Sequence, residues 1–179
     1  MRTLVTGAGN PFGAAIAQAL LDAGHDVRLF AVDAGVAARF RSGKGTVTWY
    51  AGDVATMGSL EPALSERQAL VHAASLDGPE MHRHGQATHI ERAAMACRYA
   101  AEREQVDHYI VVLPAEPGRK LAATVDRAEE TARKTRGTIN VAVLRAQDPQ
   151  QAARDVLAAL QRLPELGKAP GRENDAVTA

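Results

Sequence analysis

Apolar residues follow two different periods along most of the chain. Short runs rich in β-branched residues alternate with longer segments in which apolar residues recur every three or four positions. The pattern predicts strands at residues 3–6, 27–32, 46–50, 69–73, 109–113 and 140–144. It predicts helices at residues 11–23, 34–41, 56–65, 86–104, 119–135 and 149–162. Strands and helices in this alternation are typical of right-handed crossovers, so we expect an α/β fold with a doubly wound parallel sheet of about six strands and helices on both faces.

The length of the chain limits this pattern to one domain. At 179 residues, the chain is long enough for one sheet covered by helices and too short for two full domains. We expect residues 1–163 to form that domain. The polar segment 164–179 is interrupted by Pro164, Gly167 and Pro170, and we expect it to be a flexible tail. Little sequence follows the sixth strand, so no separate substrate lobe is expected.

Composition and charge argue against several classes of partner. The 21 basic and 21 acidic side chains balance and form no dense basic block, so nucleic acid is not an expected ligand. No segment reaches the roughly 18 consecutive apolar residues of a membrane span, and the amino terminus does not resemble an export signal. We therefore expect a cytoplasmic protein without membrane contact. The single cysteine, Cys97, excludes an intrachain disulfide and occupies an alanine-rich helical pattern typical of a small buried residue.

A glycine-rich turn joins the first predicted strand to the first predicted helix, in the sequence Gly-Ala-Gly-Asn-Pro-Phe-Gly. Glycines allow a tight turn and let a pyrophosphate approach the backbone, while the helix start offers N–H groups and a partial positive charge. Asn10 and Pro11 are favourable N-cap and first-turn residues, and so mark the helix start independently of the glycines. The turn therefore predicts a dinucleotide site. Its expected binding residues are Gly7, Gly9, Asn10, Pro11, Phe12 and Gly13.

Further segments extend this pattern towards a known family. Asp53 and Val54 follow the third strand, and the sequence Val-His-Ala-Ala closes the fourth strand with Ala73 and Ala74. Together with the turn, these segments resemble the extended and atypical short-chain dehydrogenase/reductases, which include UDP-sugar epimerases and NmrA-like proteins, over residues 1–147. The resemblance implies a Rossmann fold with NAD or NADP as cofactor. It also implies that Asp53 and Val54 contact adenine, and that Ala73 and Ala74 lie beside the cofactor.

The turn departs from the family's pattern at Asn10. Members usually carry Gly-x-x-Gly-x-x-Gly, and Asn10 occupies the position of the middle glycine. Asparagine tolerates a positive φ better than most residues, so the backbone conformation can be kept. Its side chain is then expected near the pyrophosphate, where it either donates a hydrogen bond to the phosphate or partly blocks the site.

The end of the second strand does not choose between the two cofactors. Asp33 lies 20 residues after Gly13 and is the predicted acidic cofactor-binding residue. However, the acid of NAD-preferring members aligns with Ala31, and the arginine of NADP-preferring atypical members aligns with Val32. The basic side chains that follow either contact a 2′-phosphate or are simply solvated. They are Arg39, Arg41 and Lys44.

Residues for ordinary dehydrogenase chemistry are missing from the sequence. In the family, a Tyr-x-x-x-Lys pair assisted by serine carries that chemistry, with tyrosine as the proton donor or acceptor. The chain has no tyrosine after Tyr109 and no serine after Ser75, and Glu116 stands four residues before Lys120. We therefore expect no standard dehydrogenase catalysis, and the sequence identifies no catalytic residue.

Three functions are compatible with this combination. The first is a regulatory or sensor-like NAD(P)-binding protein, similar to NmrA-like members. The second is an enzyme on a remodelled site, namely an isomerase, lyase, cyclase or tyrosine-independent reductase acting on a small molecule. The third is a degenerate Rossmann subunit or scaffold that binds a partner protein.

The remodelled-site hypothesis depends on a group of histidines after the fourth strand. His82, His84 and His89 are its candidate acids or bases, with Asp77 or Glu80 as an assisting carboxylate, and a polar loop is the alternative interpretation. His82 and His84 have no carboxylate or cysteine partner at reliable ligand spacing, so no metal site is predicted. His72 is expected to pack at the end of its strand.

The helix predicted at residues 86–104 has two apolar surfaces. Its core stripe consists of Ile90, Ala93, Ala94, Cys97 and Ala101. Met95 and Tyr99 lie off that stripe, which indicates either a homodimer contact through this helix or a half-buried surface of the monomer.

Overall fold

All six predicted strands are present in the computed structural model, which describes residues 1–40, 43–74 and 85–162. They begin and end close to their predicted bounds. The strands are β1 (Arg2–Thr6), β2 (Asp26–Ala31), β3 (Val47–Ala51), β4 (Ala69–Ala73), β5 (His108–Pro114) and β6 (Asn140–Ala146). The predicted tail, residues 164–179, lies outside the described residues.

Three of the predicted helices form almost as expected, as α1 (Pro11–Asp22), α3 (Gln86–Glu104) and α5 (Pro149–Arg162). Helix α1 has both of its predicted start signals, because Asn10 is the N-cap and Pro11 the first helical residue. Each start signal was readable from the sequence because capping depends on residues next to each other in the chain.

The other three predicted helices are shorter or different in type. The segment predicted at 34–41 is a 3₁₀ helix, Ala34–Arg39, because the backbone is extended again at Phe40. The segment predicted at 56–65 contains only α2 (Glu61–Leu64), because Gly58 adopts a positive φ of 83° and interrupts the helical path. The segment predicted at 119–135 is α4 (Ala122–Arg133), which follows a turn at Gly118.

The strands form one parallel sheet in the order β3-β2-β1-β4-β5-β6. The chain returns from the β3 edge to the centre of the sheet at β4, so the strand order reverses between β1 and β4. In parallel sheets, ligands bind at the carboxyl ends of the strands beside such a reversal. The glycine turn follows β1 at this position.

Two apolar layers cover the sheet. One layer packs α1, the 3₁₀ helix and α5 on one face, and the other packs α2, α3 and α4 on the opposite face. The predicted core stripe of α3 is buried throughout, Cys97 included. Helix α5 packs on the sheet through Ala153, Val156 and Leu160, which are buried, and Leu157, which is partly buried. No helix among the described residues is long and apolar enough to cross a membrane.

Candidate functional site

The turn between β1 and α1 is held by two close backbone approaches. Gly7 adopts a φ of +78°, and a side chain there would collide with the carbonyl oxygen of Ala73 at the end of β4. A side chain at Gly13 would collide with the carbonyl oxygen of Gly7. Both positions therefore require glycine for packing alone, before any ligand is considered.

Asn10 takes part in the turn differently from the expectation. Its φ is −97°, so the turn does not use the positive φ that asparagine tolerates, and the left-handed residue of the turn is Gly7. Its Oδ1 accepts a hydrogen bond from the Gly13 N–H at 2.9 Å, and its Nδ2 donates to the Ala73 carbonyl oxygen at 3.2 Å. The residue is only 6% exposed. The carboxamide thus lies beneath the turn and joins the start of α1 to the end of β4.

The outer side of the turn presents backbone donors. The N–H groups of Gly9 and Phe12, two residues that are not buried, make no hydrogen bond within the described part of the chain. They stand at the start of a 12-residue helix, whose dipole adds a partial positive charge. Gly9 is exposed, and a Cβ built there meets no atom nearer than Val36 Cγ2 at 3.9 Å. These donors and this open space fit the pyrophosphate of a dinucleotide.

The other predicted cofactor residues lie at the same edge of the sheet. Val54 follows β3, and Ala73 and Ala74 lie at the end of β4; all three are buried. Asp53 follows β3 as well, and its Oδ1 accepts a hydrogen bond from the Ala55 N–H at 2.9 Å. Asp33 is exposed beyond the end of β2, where its Oδ1 accepts from the Gly35 N–H at 2.8 Å and caps the 3₁₀ helix.

A cleft of about 380 Å³ opens beside the turn, between α1 and the end of the 3₁₀ helix. Arg39 and Phe40 form one wall, and Gly9, Asn10 and Ala14 form part of the other. Of the basic candidates that the structure describes, Arg39 and Lys44, Arg39 lies here. Lys44 contacts the region of Gly24, at the amino-terminal edge of the sheet, and Arg41 lies outside the described residues.

Two buried histidines lie behind the turn. His72 Nδ1 is 2.7 Å from Thr6 Oγ1, and burial, together with the neighbouring His89, lowers the pKa of His72 to about 4. The prediction that His72 packs at the strand end is confirmed. His89 lies within α3, not in a loop, and lines a small cavity with His72 and Gly7. The remaining candidates, Asp77, Glu80, His82 and His84, lie outside the described residues.

The three tyrosines lie away from the end of β5 and from α4. Tyr50 is on β3 and stacks on Phe30 with ring centroids 6.2 Å apart, Tyr99 is on the exposed face of α3, and Tyr109 is fully buried near the start of β5. Strand β5 ends in Leu113 and Pro114.

Glu116 and Lys120 are exposed in the segment before α4, as expected for a solvated helix start. The Cys97 thiol is buried, and this burial raises its pKa. Among the described residues, no group of three or more histidine, cysteine or acidic side chains is placed to hold a metal ion.

The sheet order, the reversal beside β1 and the glycine turn at that reversal define a dinucleotide-binding protein of the Rossmann class. The family model described as NAD(P)H-binding matches residues 7–159, and the chain belongs to that family. Its cofactor is therefore NAD or NADP. The sequence has no detectable relative among the curated proteins.

Solved structures show the same fold. The Bordetella bronchiseptica enzyme WbmG in complex with NAD is 18% identical, with a TM-score of 0.62 over 81% of this chain and 52% of WbmG. An alcohol dehydrogenase from Thermococcus sibiricus complexed with 5-hydroxy-NADP is 18% identical, with a TM-score of 0.67 over 92% of this chain and 91% of that one. A metagenomic short-chain oxidoreductase in complex with NADP is 20% identical, with a TM-score of 0.59 over 93% and 92% of the two chains. This chain thus spans about half the length of WbmG and nearly all of the two shorter oxidoreductases.

Proposed function

We propose that this chain binds NAD(P)(H) at the β1–α1 turn as a regulatory or sensor-like protein and does not use tyrosine–lysine proton transfer. The observation that carries the proposal is a contrast between two parts of one sheet edge. The turn keeps the backbone donors that a pyrophosphate needs, whereas the end of β5 carries Leu113 and Pro114. A bound nicotinamide supplies hydride transfer, and carbonyl reduction also needs a proton donor at the reacting oxygen.

The distribution of hydroxyl groups supports the second half of the proposal. The sequence contains no tyrosine after Tyr109, which is buried below the strand ends, and no serine after Ser75. Lys120 precedes α4 and is exposed. A protein of this composition can respond to the amount or redox state of the dinucleotide through binding alone.

Replacing Gly9 with a negatively charged residue tests dinucleotide binding at the turn. We expect Gly9→Asp to fold, because the Cβ position is open, and to weaken NADH and NADPH binding, because its carboxylate lies beside the pyrophosphate. The neutral, equally large Gly9→Asn should bind far better than Gly9→Asp. Titration of nicotinamide fluorescence measures both affinities. No binding of either cofactor to the wild-type protein at millimolar concentration would refute the proposal.

The absence of ordinary turnover is tested separately. We expect NADH and NADPH to bind without being consumed when a panel of aldehydes and ketones is added. Absorbance at the nicotinamide band and product analysis measure consumption. Stoichiometric carbonyl reduction that survives replacement of Lys120 would show that the protein is a tyrosine-independent reductase instead.

We also propose that α3 forms a homodimer contact. Met95 and Tyr99 are 55% and 43% exposed, and they line a shallow groove together with Met57. Arg98 and Glu102 flank this patch one helical turn apart and pair with each other, with 2.9 Å between Arg98 Nε and Glu102 Oε1. The apolar patch therefore lies beside charges that are already paired, and a two-fold contact would bury it against the same patch of a second copy of the chain.

A further inference from the structure

We infer that the site prefers NADP(H) over NAD(H) and that Arg39, on the 3₁₀ helix, binds the 2′-phosphate. The inference rests on the proposed dinucleotide binding and names its ligand more closely. It starts from the cleft of about 380 Å³ beside the turn, which Arg39 lines together with Gly9 and Asn10. Its Arg39 wall is the end of the 3₁₀ helix, which follows β2 in the chain. In a Rossmann site the adenosine ribose lies beyond the end of that strand.

Arg39 is available for a ligand. It is exposed, and no hydrogen bond or ion pair joins it to any residue in the ranges that the structure describes. Many other arginines of the chain are engaged; Arg127 pairs with Glu91, for example, and Arg145 pairs with Glu129. A guanidinium without an acidic partner at a cleft wall is well suited to a phosphate, which it can bind through two parallel hydrogen bonds.

The charge in the cleft has one sign. Among the described residues that line it, Arg39 is the only charged one, and none is acidic. Asp33 is the acid nearest in sequence, but it does not line the cleft, and its Oδ1 is held by the Gly35 N–H. A 2′-phosphate adds up to two negative charges to the ligand. The cleft therefore attracts NADP(H) more strongly than NAD(H), which carries a hydroxyl at that position.

The test compares the two reduced cofactors on the full-length chain. We expect the wild-type protein to bind NADPH at least tenfold more tightly than NADH. Arg39→Gln should weaken NADPH binding by about tenfold to a hundredfold, as expected for a lost charge-assisted hydrogen bond, and leave NADH binding nearly unchanged. Arg39→Lys, which keeps the charge, should lie between the two. Arg133→Gln, on α4 at the opposite face of the sheet, is the matched control and should behave as wild type.

A second pair of ligands isolates the phosphate from the rest of the cofactor. Adenosine 2′,5′-bisphosphate should compete with NADPH more strongly than adenosine 5′-monophosphate, and Arg39→Gln should remove most of that difference. Equal binding of NADPH and NADH by the wild-type protein, or an unchanged ratio in Arg39→Gln, would overturn the inference while leaving dinucleotide binding intact. Failure of both cofactors to bind would overturn the proposed function as well.

Discussion

At the scale of single residues, the Asn10 side chain supplies hydrogen bonds to two buried backbone groups that would otherwise need a water molecule or another backbone group as partner. Its carboxamide satisfies one N–H group, of Gly13, and one carbonyl group, of Ala73, both of which are otherwise shut away from solvent. Buried backbone groups that lose their partners cost free energy, so the Asn10 side chain contributes to the stability of the fold.

We therefore predict that Asn10→Ala lowers the free energy of unfolding by about 2 kcal/mol, from the lost cap and the unpaired buried groups. Asn10→Gly should lose less, because a water molecule can enter and bridge Gly13 and Ala73. Urea unfolding measures both, and NADPH affinity should change little in either variant. A stable Asn10→Ala protein that no longer binds NADPH would instead show that the side chain contacts the phosphate.

His72 predicts a pH dependence of stability. Burial lowers its pKa to about 4 in the folded protein, against about 6.5 when unfolded, so the unfolded chain takes up the proton first on acidification. The contribution of neutral His72 to the free energy of unfolding is fully present above pH 6.5. It is lost as the pH falls towards 4, which lowers the free energy of unfolding by about 3 kcal/mol. His72→Gln should flatten the decline in unfolding free energy over this range, as followed by urea titrations at several pH values.

In His72→Gln, the pH dependence of the unfolding free energy should be reduced but not removed. Burial also lowers the pKa of His25 and of His108, and these act in the same direction. An identical slope in wild type and His72→Gln would show that His72 is not buried in its neutral form.

At the scale of elements, the strands were predictable and the shorter helices were not. Strand positions follow from β-branched runs, and α1 follows from Asn10 and Pro11, all of which act locally in the sequence. In contrast, α2 is reduced to four residues by the backbone conformation at Gly58, and the 3₁₀ helix depends on how Asp33 turns its carboxylate. The length and type of these helices depend on local backbone dihedral angles, which the periodicity of apolar residues does not indicate.

In the candidate site too, features set by neighbouring residues in the sequence were predictable and features set by distant contacts were not. Gly7 and Gly13 were predictable because a strand, a turn and a helix start stand together in the sequence. The direction of the Asn10 side chain was not, because its partner Ala73 is 63 positions away and meets it only through the pairing of β1 with β4. Phe40, which lines the cleft beside Arg39, carried no motif and was missed for that reason.

The proposed dimer contact on the exposed face of α3 can be tested by a single substitution. If its exposed face joins two copies, Met95→Glu should convert the dimer to a monomer. The substitution removes the apolar contact of Met95 and brings two carboxylates close together at the two-fold interface. Sedimentation velocity measures the change. Arg154→Glu, an exposed charge reversal on α5, should leave the dimer intact. A monomeric wild-type protein would contradict the proposed contact.

At the scale of the whole molecule, the candidate site draws on both halves of the sheet, since the turn follows β1 and its support comes from the end of β4. A ligand bound there stabilises the fold as a unit. We predict that NADPH at one hundred times its dissociation constant raises the unfolding free energy by about 2.7 kcal/mol, with a higher midpoint of thermal unfolding. Gly9→Asp should lose this shift under the same ligand concentration. A shift of equal size in that variant would place NADPH elsewhere.

The clamp that Asn10 forms beneath the turn also affects how quickly a ligand is captured. Since Gly13 and Ala73 are already joined before the dinucleotide arrives, the loop does not have to be ordered during the encounter. Association should then be a single concentration-dependent step, without the saturating phase that a slow loop rearrangement imposes, and differences in affinity among variants should reside mainly in the rate of release.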